Sequence, residues 1–343
     1  MGTYFLILQC MSTISTPASN SKDTYDLYRR IDLHCHTTMS DGKDTTEELV
    51  AKAVKAKLEL VIITEHDLVN RDGKRLLQKH GIRSFDGVEI SARDYTHKHS
   101  LHLPFYAEHI SSRVDTALAS IRMGRIGKVK AQCEKLEKNG FLISYMRLED
   151  FALRNRMSPD CVTNYHLAGC LLSEPHNHER IKQICGRDVT DQGAFIRLFL
   201  KDFSKYRDIG YAPVSDYEMS IEDVVDHARK DHAVVSVAHP NFTFLPQGEI
   251  AGFEQRMPEY AKLGIQGIEV NSCANDAWIT SIQATAARLN MILTFGSDSH
   301  GDADDQHQSL GNLHPIATAE PRLVEGAMDQ LLAIILGKDI RTT

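Results

Sequence analysis

Metal-liking side chains stand at the end of nearly every strand-like run in this chain, and that placement limits the folds open to it. A short run at residues 30–33 ends in His34-Cys35-His36, with Asp41 five residues beyond. The apolar run 60–63 leads to Glu65-His66-Asp67. The runs 87–90 and 101–106 carry Glu89 and His102. The run 233–238 enters His239-Pro240, and 291–295 enters Ser297-Asp298-Ser299-His300. Residues i and i+2 of an extended segment point to the same side, so His34 and His36 can grip one ion together. Asp298 and His300 repeat that spacing near the other end of the chain. Imidazole and carboxylate donors without thiolates suit Zn, Mn or Fe.

Each signal has a plainer reading when taken singly. A lone HxH is a weak motif, His66 could cap a helix, Glu89 could pair with a cation, and His239 before a proline could mark a turn. Six coincidences at six strand ends favour one metal site. Cys35 points away from its two neighbours and is expected to pack in the core. His80, His97, His99, His227 and His232 lie beside charged residues and are expected to be solvated. Asp67 either orients a ligand or caps a helix.

Helical patterns alternate with the strands. Residues 45–58 repeat apolar positions at Leu49, Ala53, Val54 and Leu58, with Asp44 or Thr45 as the cap and Glu47 and Glu48 in the first turn. Residues 117–138, 221–230, 258–263 and 277–289 read as helices. The alternation argues a parallel α/β sheet or barrel, whose active face lies at the C-terminal strand ends. Residues 145–218 break the beat and read as a small, mainly helical insertion over the barrel. Residues 1–29 read as a flexible lead rich in Ser and Thr, 30–300 as the barrel, and 301–343 as the segment that completes it. Residues 4–8 are apolar but short and lack a preceding basic residue, so a secretory signal is not expected.

Composition narrows the function. Net charge is −7, from 39 basic and 46 acidic residues, so stable nucleic-acid binding is not expected. No apolar run approaches the roughly 18 residues of a membrane span. Seven scattered cysteines without a CxxC pair argue against a disulfide scaffold and for a reduced, cytoplasmic setting. The chain has no GxSxG elbow, Walker loop or GxGxxG after the first strand.

The motifs Asp32-Leu33-His34-Cys35-His36, Ile63-Thr64-Glu65-His66-Asp67, Gly87-Val88-Glu89-Ile90, Ala238-His239-Pro240 and Gly296-Ser297-Asp298-Ser299-His300 together resemble those of the polymerase and histidinol phosphatase (PHP) superfamily. The resemblance spans about residues 31–300. It implies a distorted (β/α)7 barrel with up to three divalent ions. His34, His36, Glu89 and Asp298 would hold one ion. Glu89, His102 and His239 would hold a second, and Asp41, His66 and His300 a third. The branch most resembled is the small phosphoesterases of nucleotide phosphates. The implied reaction is hydrolysis of a small phosphate ester by water activated on the ions. Asp67 or His166 would relay the proton. In that branch arginines are expected where this chain has Asn164 and Phe242, so a second substrate phosphate would be held poorly. Arg93, Lys98 and Arg197 are possible substitutes. Two other functions fit less well. One is an amidohydrolase acting on a C–N bond, which commonly bridges its metals with a strand-end lysine. The other is a non-catalytic module that keeps the barrel alone.

Overall fold

The structure is a computed structural model that describes residues 30–213, 217–244, 249–301 and 308–337. The expected lead, 1–29, lies outside the described residues, as does part of the 301–343 segment. Strands β1 (Ile31–Asp32) and β2 (Leu60–Val61) pair in parallel. Between them lies helix α1 (Thr46–Lys55), and after β2 comes α2 (Arg71–Lys79). Thr45 Oγ1 accepts from the Glu48 N–H at 3.2 Å and the Glu48 carboxylate accepts from the Thr45 N–H at 2.8 Å, a reciprocal cap. Leu49, Val50 and Ala53 turn inward from α1, whereas Val54 faces solvent.

The larger sheet has six strands: β3 (Asp86–Asp94), β4 (His99–Ala107), β5 (Met219–Ser220), β6 (Val234–Val237), β7 (Gly267–Asn271) and β8 (Ile292–Gly296). Their spatial order is β5-β3-β4-β6-β7-β8. β3 and β4 are antiparallel, which departs from the all-parallel expectation. Only residues 95–98 join them, too few for the crossover a parallel pair needs. β6, β7 and β8 run parallel, with helices Glu249–Leu263 and Asp276–Leu289 between them.

Backbone bonds tie the strand ends to one another. Leu33 N donates to Phe295 O at 3.0 Å and His36 N to Ser299 O at 2.9 Å. Thr64 N donates to Cys35 O at 2.9 Å, Glu89 N to Glu65 O at 3.1 Å, and Ala238 N to His102 O at 3.1 Å. The segments that carry the motifs are therefore fixed against each other by main chain.

The principal core lies behind these segments and includes Leu33, Val88, Phe105, Val235, Ile268 and Phe295, all fully buried. The helix Pro321–Ile335 closes it with Val324, Met328, Leu331 and Leu332. A second apolar cluster joins the far half of α3 (Ser112–Lys138) to the short helices that follow. Phe195 and Phe199 stack there, with ring centroids 4.6 Å apart. This cluster starts at Val129, earlier than the sequence break at 145, because α3 is long enough to serve both cores. No described helix is long and apolar enough to cross a membrane.

Candidate metal centre

Glu89 sits amid five histidines from four parts of the chain. Its Oε1 lies 3.3 Å from His34 Nε2, 3.2 Å from His102 Nδ1 and 3.1 Å from His239 Nε2. Its Oε2 lies 3.0 Å from His66 Nδ1 and 3.5 Å from His36 Nε2. Asp298 Oδ1 approaches His36 Nε2 at 3.3 Å and His34 Nε2 at 3.5 Å. Asp41 reaches His300 Nε2 at 3.3 Å and His66 Nε2 at 3.5 Å. The nine residues singled out in the sequence thus form one cluster. Among the described residues, three ligand sets are compact enough for an ion: His36, Asp41, His66 and His300; His34, His36 and Glu89; and His66, Glu89 and His102.

The donor atoms fit a cation. His34 Nε2, His36 Nε2, Asp41 Oδ1, Glu89 Oε2 and His102 Nδ1 are buried and lack a well-aligned hydrogen bond, their close contacts being the ion pairs just given. Each such atom costs about 1–3 kcal/mol if left unsatisfied, and a shared ion removes that cost for all of them. Asp41, Glu89 and Asp298 are at most 5% exposed, and buried charge demands a counter-charge. Electrostatics show the same demand. Burial opposes ionisation of Asp41, yet His66 and His300 hold its carboxyl well below the usual range. Burial likewise disfavours protonated His300, and Asp41 overcomes it, pushing the imidazole up to about 9. Burial and then His300 push His36 down to about 3, leaving a neutral ligand.

Buried groups outside this cluster orient it. Glu269 Oε1 lies 2.9 Å from His34 Nδ1, and its Oε2 accepts from the His239 N–H at 2.6 Å. Asp32 accepts from the N–H groups of His34, Ser297 and Gly311 at 3.2, 3.0 and 2.7 Å. Glu65 accepts from Thr37 N at 3.0 Å, Ser40 Oγ at 2.5 Å and Asn70 Nδ2 at 3.0 Å. Asp67, His239 and Asp298 take left-handed backbone, with φ of 54°, 29° and 53°. Non-glycine residues seldom do so, and such strain gathers at functional sites.

The two proton-relay candidates differ in surroundings. Asp67 is fully buried and accepts from Ser91 N at 2.7 Å and Ser91 Oγ at 2.9 Å, with Arg125 ion-paired to its Oδ2. His166 is buried in the first turn of the helix Asn164–Leu172. Its Nδ1 accepts from the Thr163 N–H at 3.0 Å, which places the neutral ring's proton on Nε2. That Nε2 is buried, and the ring also interacts with the Ser40 backbone. Burial pushes the ring down to about 4. Thr163 Oγ1 joins this corner to Asp41 Oδ2 at 3.2 Å.

Among the substitute cations, Arg93 bonds Glu218 at 3.2 Å, and Arg197 lies exposed beside Asp191. Lys98 occupies the exposed β3–β4 turn. His99 corrects an expectation. It is 6% exposed and packs against Phe244, with centroids 5.4 Å apart, because β4 alternation aligns it with Leu101 and Leu103. Cys35 is fully buried, as expected, with Sγ 3.6 Å from Ile62 O. The sequence reading missed Glu269 and Arg125. A lone carboxylate within apolar Ile268-Glu269-Val270 was the available signal for Glu269.

Residues 32–168 match the PHP domain family. Over 277 residues it is 26% identical to a phosphoribosyl 1,2-cyclic phosphate 1,2-diphosphodiesterase of Eggerthella lenta, covering 79% of this chain and 94% of the relative. Over 279 residues it is 25% identical to a 3',5'-nucleoside bisphosphate phosphatase of Chromobacterium violaceum, covering 80% and 88%. Two solved structures share the fold. A protein from Bifidobacterium adolescentis described as a metal-dependent phosphoesterase superposes with TM-score 0.65 at 21% identity, over 91% of this chain and 98% of its own. A Chromobacterium violaceum protein described as an amidohydrolase gives 0.65 at 23%, over 85% and 96%. These two structures and this chain have the same mixed α/β architecture.

Proposed function

We propose that this protein is a metal-dependent phosphoesterase that hydrolyses a small phosphate ester of the nucleotide class. The observation that carries the reading is the convergence of buried imidazoles on the buried carboxylates of Asp41, Glu89 and Asp298, with five of the donor atoms lacking a well-aligned hydrogen bond. The two curated relatives act on small phosphate esters, and they match most of this chain. We read the frame as a distorted (β/α)7 barrel, a reading supported by backbone contacts between the ends of β1 and β8 and of β2 and β3. We read the helical segment as a cap, since Ser158 N donates to Thr38 O at 2.9 Å and Cys161 Sγ approaches His66 O at 3.2 Å.

His34, His36, Asp41, His66, Glu89, His102, His239, Asp298 and His300 would hold up to three ions of Mn, Zn or Fe. When bound, such ions lower the pKa of water and neutralise charge on phosphate oxygens. Glu89, in the middle, would be shared between two of them. Glu269 and Asp32 fix the angle at which His34 enters. His166 offers a buried Nε2–H to a phosphate oxygen and acts as a hydrogen-bond donor. Asp67 turns its carboxylate to Ser91 and Arg125, so we assign it to positioning.

The amidohydrolase alternative commonly uses a bridging lysine. Here the five ion-pair partners of Glu89 are all histidines. The test is metal analysis combined with a screen of nucleotide, sugar and histidinol phosphates. His34→Ala should lose most bound metal and nearly all hydrolysis. Full activity in metal-replete His34→Ala protein would sink the assignment.

A further inference from the structure

One compact ligand set, His36, Asp41, His66 and His300, differs from the rest of the cluster in what stands behind it. Thr163 Oγ1 donates to Asp41 Oδ2 at 3.2 Å. Cys161 Sγ donates to the carbonyl of His66 at 3.2 Å. Arg122 Nη1 donates to the carbonyl of Asp67, the next residue. Ser158 N donates to Thr38 O at 2.9 Å, in the loop that carries Asp41. The Tyr165 ring lies 6.5 Å from that of His300, centroid to centroid. All five of these residues lie in α3 or in the helical segment that follows it. The other ligands are held from elsewhere. Among the described residues, none of the hydrogen bonds and ion pairs of His34, Glu89, His102 and His239 reaches residues 112–213.

The bonds to His66 and Asp67 fall on a strained turn. Asp67 has a φ of 54°, a backbone that a residue with a side chain seldom adopts unless its surroundings impose it. Cys161 holds the peptide that enters Asp67, and Arg122 holds the peptide that leaves it. Each peptide is a rigid plane, so the two bonds together fix both planes of the turn. Asp67 N, donating to Glu89 O at 3.0 Å, ties the same turn to β3. Arg125 adds an ion pair with the Asp67 carboxylate, and it also bonds Ser91 Oγ at 3.0 Å and the Tyr217 side chain. The His66 imidazole thus leaves a backbone that the helical segment clamps from one side and β3 from the other.

We infer that Arg122, Cys161 and Thr163 are positioning residues for one ion position alone, the one among His36, Asp41, His66 and His300, whose affinity for metal therefore depends on the seating of the helical segment. The positions built on His34, Glu89, His102 and His239 form without it. The inference rests on the metal-centre reading and is independent of which ester is hydrolysed. A partner that orients a ligand from behind is typically worth 10–100-fold in metal affinity, and here three such partners serve one position.

The test uses the full chain and Mn(II). Competition titration against a chromophoric chelator gives the stepwise affinities, and anomalous scattering from Mn-loaded crystals locates each ion. Arg122→Met and Thr163→Val should each lower one stepwise affinity about tenfold or more and leave the others within about twofold. The ion that weakens should be the one beside Asp41 and His300. Arg122→Lys, which can still donate to the Asp67 carbonyl, and Thr163→Ser, which keeps the hydroxyl, should recover most of the loss. Arg122 is half-buried on α3, so Arg122→Met should fold, and its Tm in chelator should stay near that of the wild type. Affinities that all fall together, that do not fall, or that fall at an ion beside His34 or His102 overturn the inference and leave the metal centre standing. A wild-type protein that takes up neither Mn(II) nor Zn(II) overturns the metal-centre reading itself, and the inference with it.

Discussion

Glu269 Oε1 lies 2.9 Å from His34 Nδ1, and both groups are fully buried. The same carboxylate accepts from the His239 N–H at 2.6 Å. One side chain on β7 thus sets two ligands that enter from β1 and β6. A carboxylate behind an imidazole fixes its tautomer and raises its basicity, and its loss typically costs 10–100-fold in metal affinity. Glu269→Gln should weaken metal binding by about that factor while leaving the far-ultraviolet spectrum intact. Competition titration against a chromophoric chelator measures it. Unchanged affinity would show that backbone alone orients His34.

Glu89 calls for a different outcome. Its two oxygens face five imidazoles, and a neutral amide cannot bridge two cations as a carboxylate does. Glu89→Gln should lower metal stoichiometry more than it lowers Tm measured in chelator. Metal analysis on desalted protein gives the first number and thermal melting the second. Wild-type stoichiometry would assign Glu89 to the fold.

Most of the candidate ligands were legible in the sequence because they follow an apolar run, where a strand stops burying residues and begins to display them; Glu89 and His102 instead lie inside β3 and β4, against the expectation that they end their strands. The caps were legible for a similar reason: Thr45 and Glu48 act within four residues of each other. What depends on distant packing was not. Glu269 looks like an intrusion in an apolar strand until His34 and His239 are brought beside it. Arg125 carries no local signal in its long helix, and its role depends on Asp67 and Ser91, more than thirty residues away in sequence. The direction of β4 follows from a four-residue turn, yet the alternation of strands and helices elsewhere masked it. His99 was misread because adjacent charges suggested water, whereas β4 alternation decided its side.

His166 yields the third prediction. Its neutral ring presents a buried Nε2–H beside the Ser40 backbone, in the corner that Thr163 links to Asp41. A hydrogen bond to a charged group contributes about 1.5–3 kcal/mol. His166→Ala should therefore reduce kcat/KM about ten- to a hundredfold, at 1.4 kcal/mol per tenfold, with metal content unchanged. His166→Gln, which retains an N–H donor, should recover part of the loss. A metal content that falls with the activity would make His166 a support for Asp41 rather than a contact to substrate.

The last prediction concerns a residue without a side chain. Gly296 ends β8 beside β1, and a Cβ built there would lie 2.2 Å from His34 Cβ and 2.6 Å from Glu269 Oε1. Neither neighbour can yield cheaply. His34 is held by its backbone bond to Asp32 at 3.2 Å, and Glu269 is fixed at both oxygens. Adding one methyl group must therefore displace the imidazole, part its ring from Glu269, or push β8 from β1. Overpacking of a tight interior costs about 1–3 kcal/mol. Gly296→Ala should lower Tm and weaken metal binding together, although alanine removes no ligand. Gly127 provides the control, since a Cβ there meets nothing within 4 Å. Gly127→Ala should leave metal affinity unchanged and hold or raise Tm, because alanine favours the helix by about 1 kcal/mol. Equal metal affinity in the two variants would mean that His34 has room to move, and that its close packing against Gly296 does not set the site.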